Sequence, residues 1–140
     1  MGRYLETLCR YRQGLLCLQR GDYRLAVQAF SQAIAGLESN DVFHFHLGLA
    51  QSQLGAWPEA GRAFARALEL NPRSADSAYG LALALDAQGE DQRAEQMYRQ
   101  TRALAGAHRS PLSPQLLRLA EAVGSRPPAQ NLQPLLSRLS

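Results

Sequence analysis

Apolar and small residues recur along this chain with a period of 34 residues, in an order typical of paired amphipathic helices. Each period contains an apolar helical stretch, a glycine at the break, and a second stretch in which alanine precedes an aromatic residue by four positions. Apolar residues three and four apart share one face of a helix, so three such periods predict three helix pairs. The positions in register are Gly14, Gly48 and Ala82; Gly21, Gly55 and Gly89; Ala26, Ala60 and Ala94; and Phe30, Phe64 and Tyr98.

The same pattern sets the expected boundaries of the repeats. We place them at residues 7–40, 41–74 and 75–108, with the first helix reaching back toward Arg3. Trp57 and Pro58 should open the second helix of the middle repeat, because a proline in the first turn loses no hydrogen bond. Gly48 lacks a Cβ and should allow the two helices of that repeat to approach closely.

The period and the residue order resemble the tetratricopeptide repeat family, whose pattern is W-x2-L-G-x2-Y, then A-x3-F, then a closing P. The middle repeat follows this pattern best, although His44 and Gln51 stand at its Trp and Tyr positions. The residues of the middle repeat that match are Leu47, Gly48, Ala60, Phe64, Ala67 and Pro72. The third repeat has Gly106 at the Pro position. The resemblance implies an all-α protein, an α-solenoid of three helix-turn-helix repeats wound as a right-handed superhelix.

After the repeats, an apolar stripe predicts a capping helix over residues 113–124, opened by Ser113 and Pro114. A proline-rich linker follows at 125–131. Leu132, Leu135, Leu136 and Leu139 then have the spacing of one helical face and predict a short terminal helix at 132–139. This last helix has two possible positions, against the capping helix or in the groove of the solenoid, where it would lie in cis or come from a neighbouring molecule.

The resemblance also implies a binding face, because the first helix of every repeat lines a concave groove in this family. The fifth and ninth repeat positions are expected to contact a partner, and Leu8, Leu18 and Val42 extend the apolar patch. The fifth positions are Tyr11, Phe45 and Tyr79, and the ninth positions are Leu15, Leu49 and Leu83. Many members of the family carry Asn at the ninth position, and members that clamp a C-terminal carboxylate use Lys and Asn on this face. Because this chain has leucine at all three ninth positions, we expect an apolar, leucine-bearing partner segment.

Two further expectations concern this groove. Replacing Leu15, Leu49 and Leu83 by Asn should abolish partner binding while leaving the fold intact, if groove side chains contribute less to the core than Ala60 or Phe64. Asp76 and Asp86 should make one end of the groove acidic and favour a basic flank on the ligand.

Composition narrows the class of protein. The 140 residues suit one domain, and all 15 basic residues are scattered arginines with a net charge of +3, so nucleic-acid binding is not expected. No apolar run approaches the roughly 20 residues that would span a bilayer. Cys9 and Cys17 lie eight residues apart on one helix, too far for a disulfide, and the N-terminus has no signal-peptide pattern. These features predict a cytoplasmic location.

The sequence gives little support for catalysis or metal binding. His44 and His46 point roughly 200° apart on a helix and cannot share a metal, and no nucleophile lies beside a base. We expect no enzyme activity and no cofactor. The favoured function is a protein-protein interaction module, an adaptor, co-chaperone or assembly scaffold. Alternatives are a chaperone similar to class II chaperones of bacterial type III secretion, and a scaffold that self-assembles through the terminal leucines.

Overall fold

The computed structural model describes residues 2–108 and 112–123, which form seven α-helices connected by short segments. The helices are α1 (Gly2–Arg20), α2 (Tyr23–Gly36), α3 (Asp41–Gln53), α4 (Trp57–Leu70), α5 (Ala75–Ala87), α6 (Asp91–His108) and α7 (Pro114–Val123). Consecutive helices pack as the pairs α1–α2, α3–α4 and α5–α6, and the pairs stack through α2 on α3 and α4 on α5. The predicted all-α solenoid of three helix pairs with a capping helix is confirmed.

The turn inside each pair has the same backbone geometry. Gly21, Gly55 and Gly89 adopt φ values of 85°, 75° and 80°, which side chains disfavour and glycine tolerates. In each turn the amide after the glycine donates to the carbonyl five residues earlier, at 2.8 Å, 2.9 Å and 3.0 Å respectively. This pattern satisfies the last carbonyls of the helix and is the Schellman motif. The 34-residue spacing of these three glycines therefore reflects a conformational requirement.

Close contact between helices occurs where glycine faces an aromatic ring. A Cβ added at Gly14 would lie 2.5 Å from the ring of Phe30, and one at Gly48 would lie 2.9 Å from the ring of Phe64. Gly80, one helix pair further along, faces the same Phe64 ring at 2.5 Å. Phe64 is fully buried, so its ring fills the space between α3, α4 and α5. The contact at Gly48 is the one that the sequence predicts, and the contact at Gly80 is an additional finding.

The third helix pair contains a buried polar contact. The Tyr98 hydroxyl donates to Asp86 Oδ2 at 2.9 Å, and both residues are inaccessible to solvent. Burial, reinforced by the neighbouring Asp86 carboxylate, raises the pKa of Tyr98. Asp86 therefore serves the interior of the pair. The expectation that it makes the end of the groove acidic is wrong, because its carboxylate faces α6 and not solvent.

The C-terminal predictions are tested only in part. Helix α7 begins at Pro114, as the proline in its first turn predicts. Residue 124, the proposed linker at 125–131 and the proposed terminal helix at 132–139 lie outside the described residues.

We expect Gly48→Ala to lower the free energy of unfolding by about 1 kcal/mol. The new methyl group would meet the buried Phe64 ring, and overpacking of this kind costs about 1–3 kcal/mol, against about 1 kcal/mol gained in helix propensity. The matched control is Gly61→Ala, where a Cβ would lie 3.6 Å from the Ala84 Cβ and no nearer to any other group. That variant should be as stable as wild type or more so. Urea unfolding followed by circular dichroism separates the two, and equal midpoints for Gly48→Ala and wild type would contradict the packing argument.

Candidate functional site

The first helices of the three pairs lie side by side and form the concave face. α3 contacts both α1 and α5, so residues on the exposed sides of α1, α3 and α5 share one continuous surface. The predicted groove positions all belong to these helices. The structure divides them into a covered set on α3 and α5 and an open set on α1 and the start of α3.

Helix α7 covers one part of this surface. Its principal contacts are with α5 and α3, and its buried side chains belong to the same core cluster as Leu49, Tyr79 and Leu83. Those three groove residues are only 1%, 0% and 0% exposed. The buried residues of the α7 segment are Leu112, Leu116, Leu119 and Ala120.

The capping helix that the sequence predicts lies mainly on the concave face of α5 and α3. The exposed side of α6 is largely polar. Its exposed residues include Gln92, Arg93, Gln96, Arg99 and Gln100.

The position of α7 changes one expectation about the groove leucines. The expectation that they contribute little to the core is wrong for Leu49 and Leu83, which are fully buried members of the main cluster. Replacing both by Asn would place two amides in an apolar environment without assigned partners and would destabilise the fold. Only Leu15, which is partly exposed, fits the original description of a groove residue outside the core.

A hydrogen bond holds the start of α7. The backbone N–H of Ser113 donates to Asp76 Oδ1 at 2.8 Å, which ties the entry of α7 to the first turn of α5. Burial raises the pKa of Asp76, and the hydrogen bond from Ser113 opposes that rise. A carboxylate beside a helix N-terminus also interacts favourably with the helix dipole. Asp76 therefore anchors the chain's own helix, a role that the sequence did not indicate.

The remainder of the concave face is open. Val42 is 43% exposed and Leu8 is 38% exposed, while Tyr11, Leu15, Leu18 and Phe45 are partly exposed. A cleft of about 670 Å³ lies between this surface and α7. It is lined by Leu15, Leu18, Gln19, Tyr23, Leu49 and Gln53, together with Gln115 and Arg118 of α7.

Tyr11 is held in place by residues of the next repeat. Its ring centroid lies 4.7 Å from that of Phe43, and its hydroxyl lies 3.2 Å from His46 Nδ1. His46 Nδ1 also lies 2.9 Å from the Val42 carbonyl oxygen, so a proton on this nitrogen is donated toward that acceptor. Burial lowers the pKa of His46 and so favours the neutral imidazole, while the hydrogen bond to the Val42 carbonyl acts in the opposite direction. Tyr11 thus joins two repeats and presents part of a fixed ring to the groove.

Within the described ranges, the structure offers no grouping of three His, Cys, Asp or Glu side chains suited to a metal ion. His44 Nε2 instead lies 2.9 Å from the Glu38 carbonyl oxygen. None of the described helices combines the length and apolar character needed to cross a membrane. The cleft in this face offers apolar contact, amide hydrogen bonding and the guanidinium group of Arg118.

The sequence profile of the tetratricopeptide repeat matches residues 11–68 and 45–108, which together make up more than half of the chain. This chain therefore belongs to the tetratricopeptide repeat family. Comparison of the sequence with curated proteins gives no match.

Solved structures with the same fold include domains from well-separated sources. The TPR2B domain of yeast Sti1, in a complex with an Hsp70 peptide, has a TM-score of 0.74 and 18% identity, covering 86% of this chain and 98% of that one. The second domain of human RPAP3, in complex with the HSP70 peptide SGPTIEEVD, has a TM-score of 0.72 and 15% identity, covering 89% and 99%. MamA has a TM-score of 0.71 and 22% identity, covering 94% and 77%. These likenesses show the fold.

We expect Asp76→Ala to loosen α7, whereas Asp76→Asn should largely retain it. The alanine variant leaves the Ser113 N–H without this acceptor, while the asparagine side chain still offers an amide oxygen. A hydrogen bond to a charged acceptor contributes about 1.5–3 kcal/mol, and the partial exposure of Ser113 reduces this value. Hydrogen exchange of the α7 amides measures the effect. Equal protection of α7 in wild type and Asp76→Ala would mean that the bond does not hold the helix.

Proposed function

We propose that this protein is a non-catalytic interaction module whose concave face binds an apolar, leucine-bearing helix of a partner protein. The observation that carries the proposal is the occupancy of this face by α7. Two of the three ninth-position leucines, Leu49 and Leu83, are buried together with Leu116 and Leu119 in one cluster. The surface therefore already binds a segment of the proposed chemistry, supplied by its own chain.

The open part of the face extends the same chemistry. Leu8 and Val42 expose apolar area on neighbouring repeats, and Leu15 and Leu18 line the cleft beside α7. Exposed apolar side chains, where they form a patch, mark interaction sites on soluble domains. The side-chain amides of Gln19 and Gln53 line the same cleft and supply donors and acceptors for a bound backbone.

The proposed ligand differs from the peptides in the similar structures. Human RPAP3 binds SGPTIEEVD, which is acidic near its C-terminus. The present sequence has no lysine, and its ninth positions are leucine. Members of this family that clamp a C-terminal carboxylate use Lys and Asn on this face. We therefore infer a preference for apolar contacts along a helix and not for an acidic chain end.

We expect the double variant Leu8→Glu, Val42→Glu to lose the partner while keeping its fold. Both positions are exposed, so the core is unaffected, but each glutamate would have to lose water on contact with an apolar ligand. The matched control is Leu25→Glu, Leu54→Glu, which changes two leucines that are 53% and 43% exposed and lie outside the groove. The measurement is capture of binding proteins from lysate of the source organism, with circular dichroism to verify folding.

The supporting result is a protein that is captured by wild type and by the control variant, is lost with the groove variant, and cross-links to the groove through an amphipathic leucine-bearing helix. A partner retained by the groove variant contradicts the proposed face. A partner that binds through an acidic C-terminus, and is displaced by the peptide SGPTIEEVD, contradicts the proposed ligand chemistry.

A further inference from the structure

Helix α7 is bound to the concave face along one side only. Its apolar stripe is buried, whereas Pro114, Gln115, Arg118, Glu121 and Ala122 are exposed. Leu116, Leu119 and Ala120 have the helical spacing i, i+3 and i+4, and Leu112 joins the stripe from the segment before the helix. An amphipathic helix bound in a groove by such a stripe is a recurrent form of peptide recognition.

The helix pairs close their own interiors without α7. Each pair buries its alanine and its aromatic residue between its two helices, as with Ala60 and Phe64 in the middle pair. The direct contacts between pairs, α2 on α3 and α4 on α5, do not involve α7, although α7 itself touches both α3 and α5. Its attachment consists of the apolar stripe and the Ser113 to Asp76 hydrogen bond.

The first repeat shows what an uncovered groove position looks like. Leu15 occupies the same repeat position as Leu49 and Leu83 but lies beyond the principal contacts of α7. It is partly exposed, while its two counterparts are 1% and 0% exposed. The same fold thus contains an open and a covered form of one repeat position, and α7 lies on the covered form.

From these observations we propose that α7 is a removable ligand of the groove in cis, and that the partner is an amphipathic helix with the same leucine pattern that replaces it. This inference rests on the proposed function and specifies its ligand and its regulation. The replacing helix would place leucines against Leu49 and Leu83 and its first-turn amide against Asp76. The tether keeps α7 at a high effective concentration near the groove, so α7 excludes weak ligands. The apparent affinity of the groove for another helix is its intrinsic affinity multiplied by the fraction of molecules in which α7 is released.

The test uses the full chain and a fluorescent peptide of residues 112–123 as the probe. Leu116→Glu places a charge in the buried stripe and should release α7 from the groove. Ala122→Glu places the same charge on the exposed side of α7 and is the matched control. Fluorescence anisotropy measures peptide binding, and hydrogen exchange of the α7 amides measures release.

We expect the peptide to bind the Leu116→Glu chain at least about tenfold more tightly than wild type, because the competing helix has left the site. The Ala122→Glu chain should bind it like wild type, and a peptide that itself carries Leu116→Glu should not bind. If Leu116→Glu reduces the helicity of the repeats, the milder Leu116→Ala and Leu119→Ala chains provide the same comparison, because they weaken the stripe of α7 and leave Asp76 and the rest of the groove unchanged.

The unfavourable outcomes separate the two proposals. Equal peptide affinity for wild type and the released variants would overturn the inference, since α7 would not compete, while the groove would still bind leucine-bearing helices. Full amide protection of α7 in both Leu116→Glu and Asp76→Ala would also overturn it, because the helix would not be removable. Release of α7 without any peptide binding would overturn the proposed function, and the inference with it.

Discussion

The contact on which this architecture depends is the one between the Phe64 ring and two glycines. Gly48 on α3 and Gly80 on α5 both lie against that ring, at distances that leave no room for a side chain. The Phe64 ring on α4 thereby sets two distances. One separates α4 from α3 within the pair, and the other separates α4 from α5 of the next pair. Because α3 and α5 are drawn to the same ring, their other sides lie next to each other and form the surface on which α7 rests.

Most of the fold could be predicted because it depends on short-range patterns that occur three times. The turn glycines, the alanine and aromatic pairs and Pro58 each act within one repeat, so the sequence predicts the helices and their partners directly. Gly80 was not predicted to contact Phe64, because the repeat pattern compares equivalent positions and this contact joins different positions of neighbouring repeats. Tertiary packing of that kind has no signature in a periodic alignment.

The site could be predicted less completely. The stripe on α7 indicates that one side of the helix is covered, but a stripe does not specify which surface covers it. One indication of the covering surface is the polar exterior of α6. There Arg93 and Arg99 form ion pairs with Glu90 and Glu95. The repeat register assigns Leu15, Leu49 and Leu83 to one groove face, but it does not predict that Leu49 and Leu83 are buried while Leu15 is partly exposed. Their role in binding a partner stays a prediction.

Asp76 also fixes the register of α7 in this groove. Shifts of one and two repeats from Asp76 lead to Val42 and Leu8, neither of which has a side-chain acceptor for an amide. A helix displaced along the face by one repeat would still find leucines at the ninth positions, but its first turn would lose the carboxylate. The apolar ladder alone has near translational symmetry, and this single acidic residue breaks that symmetry, so that one alignment of the bound helix is favoured over its shifted copies.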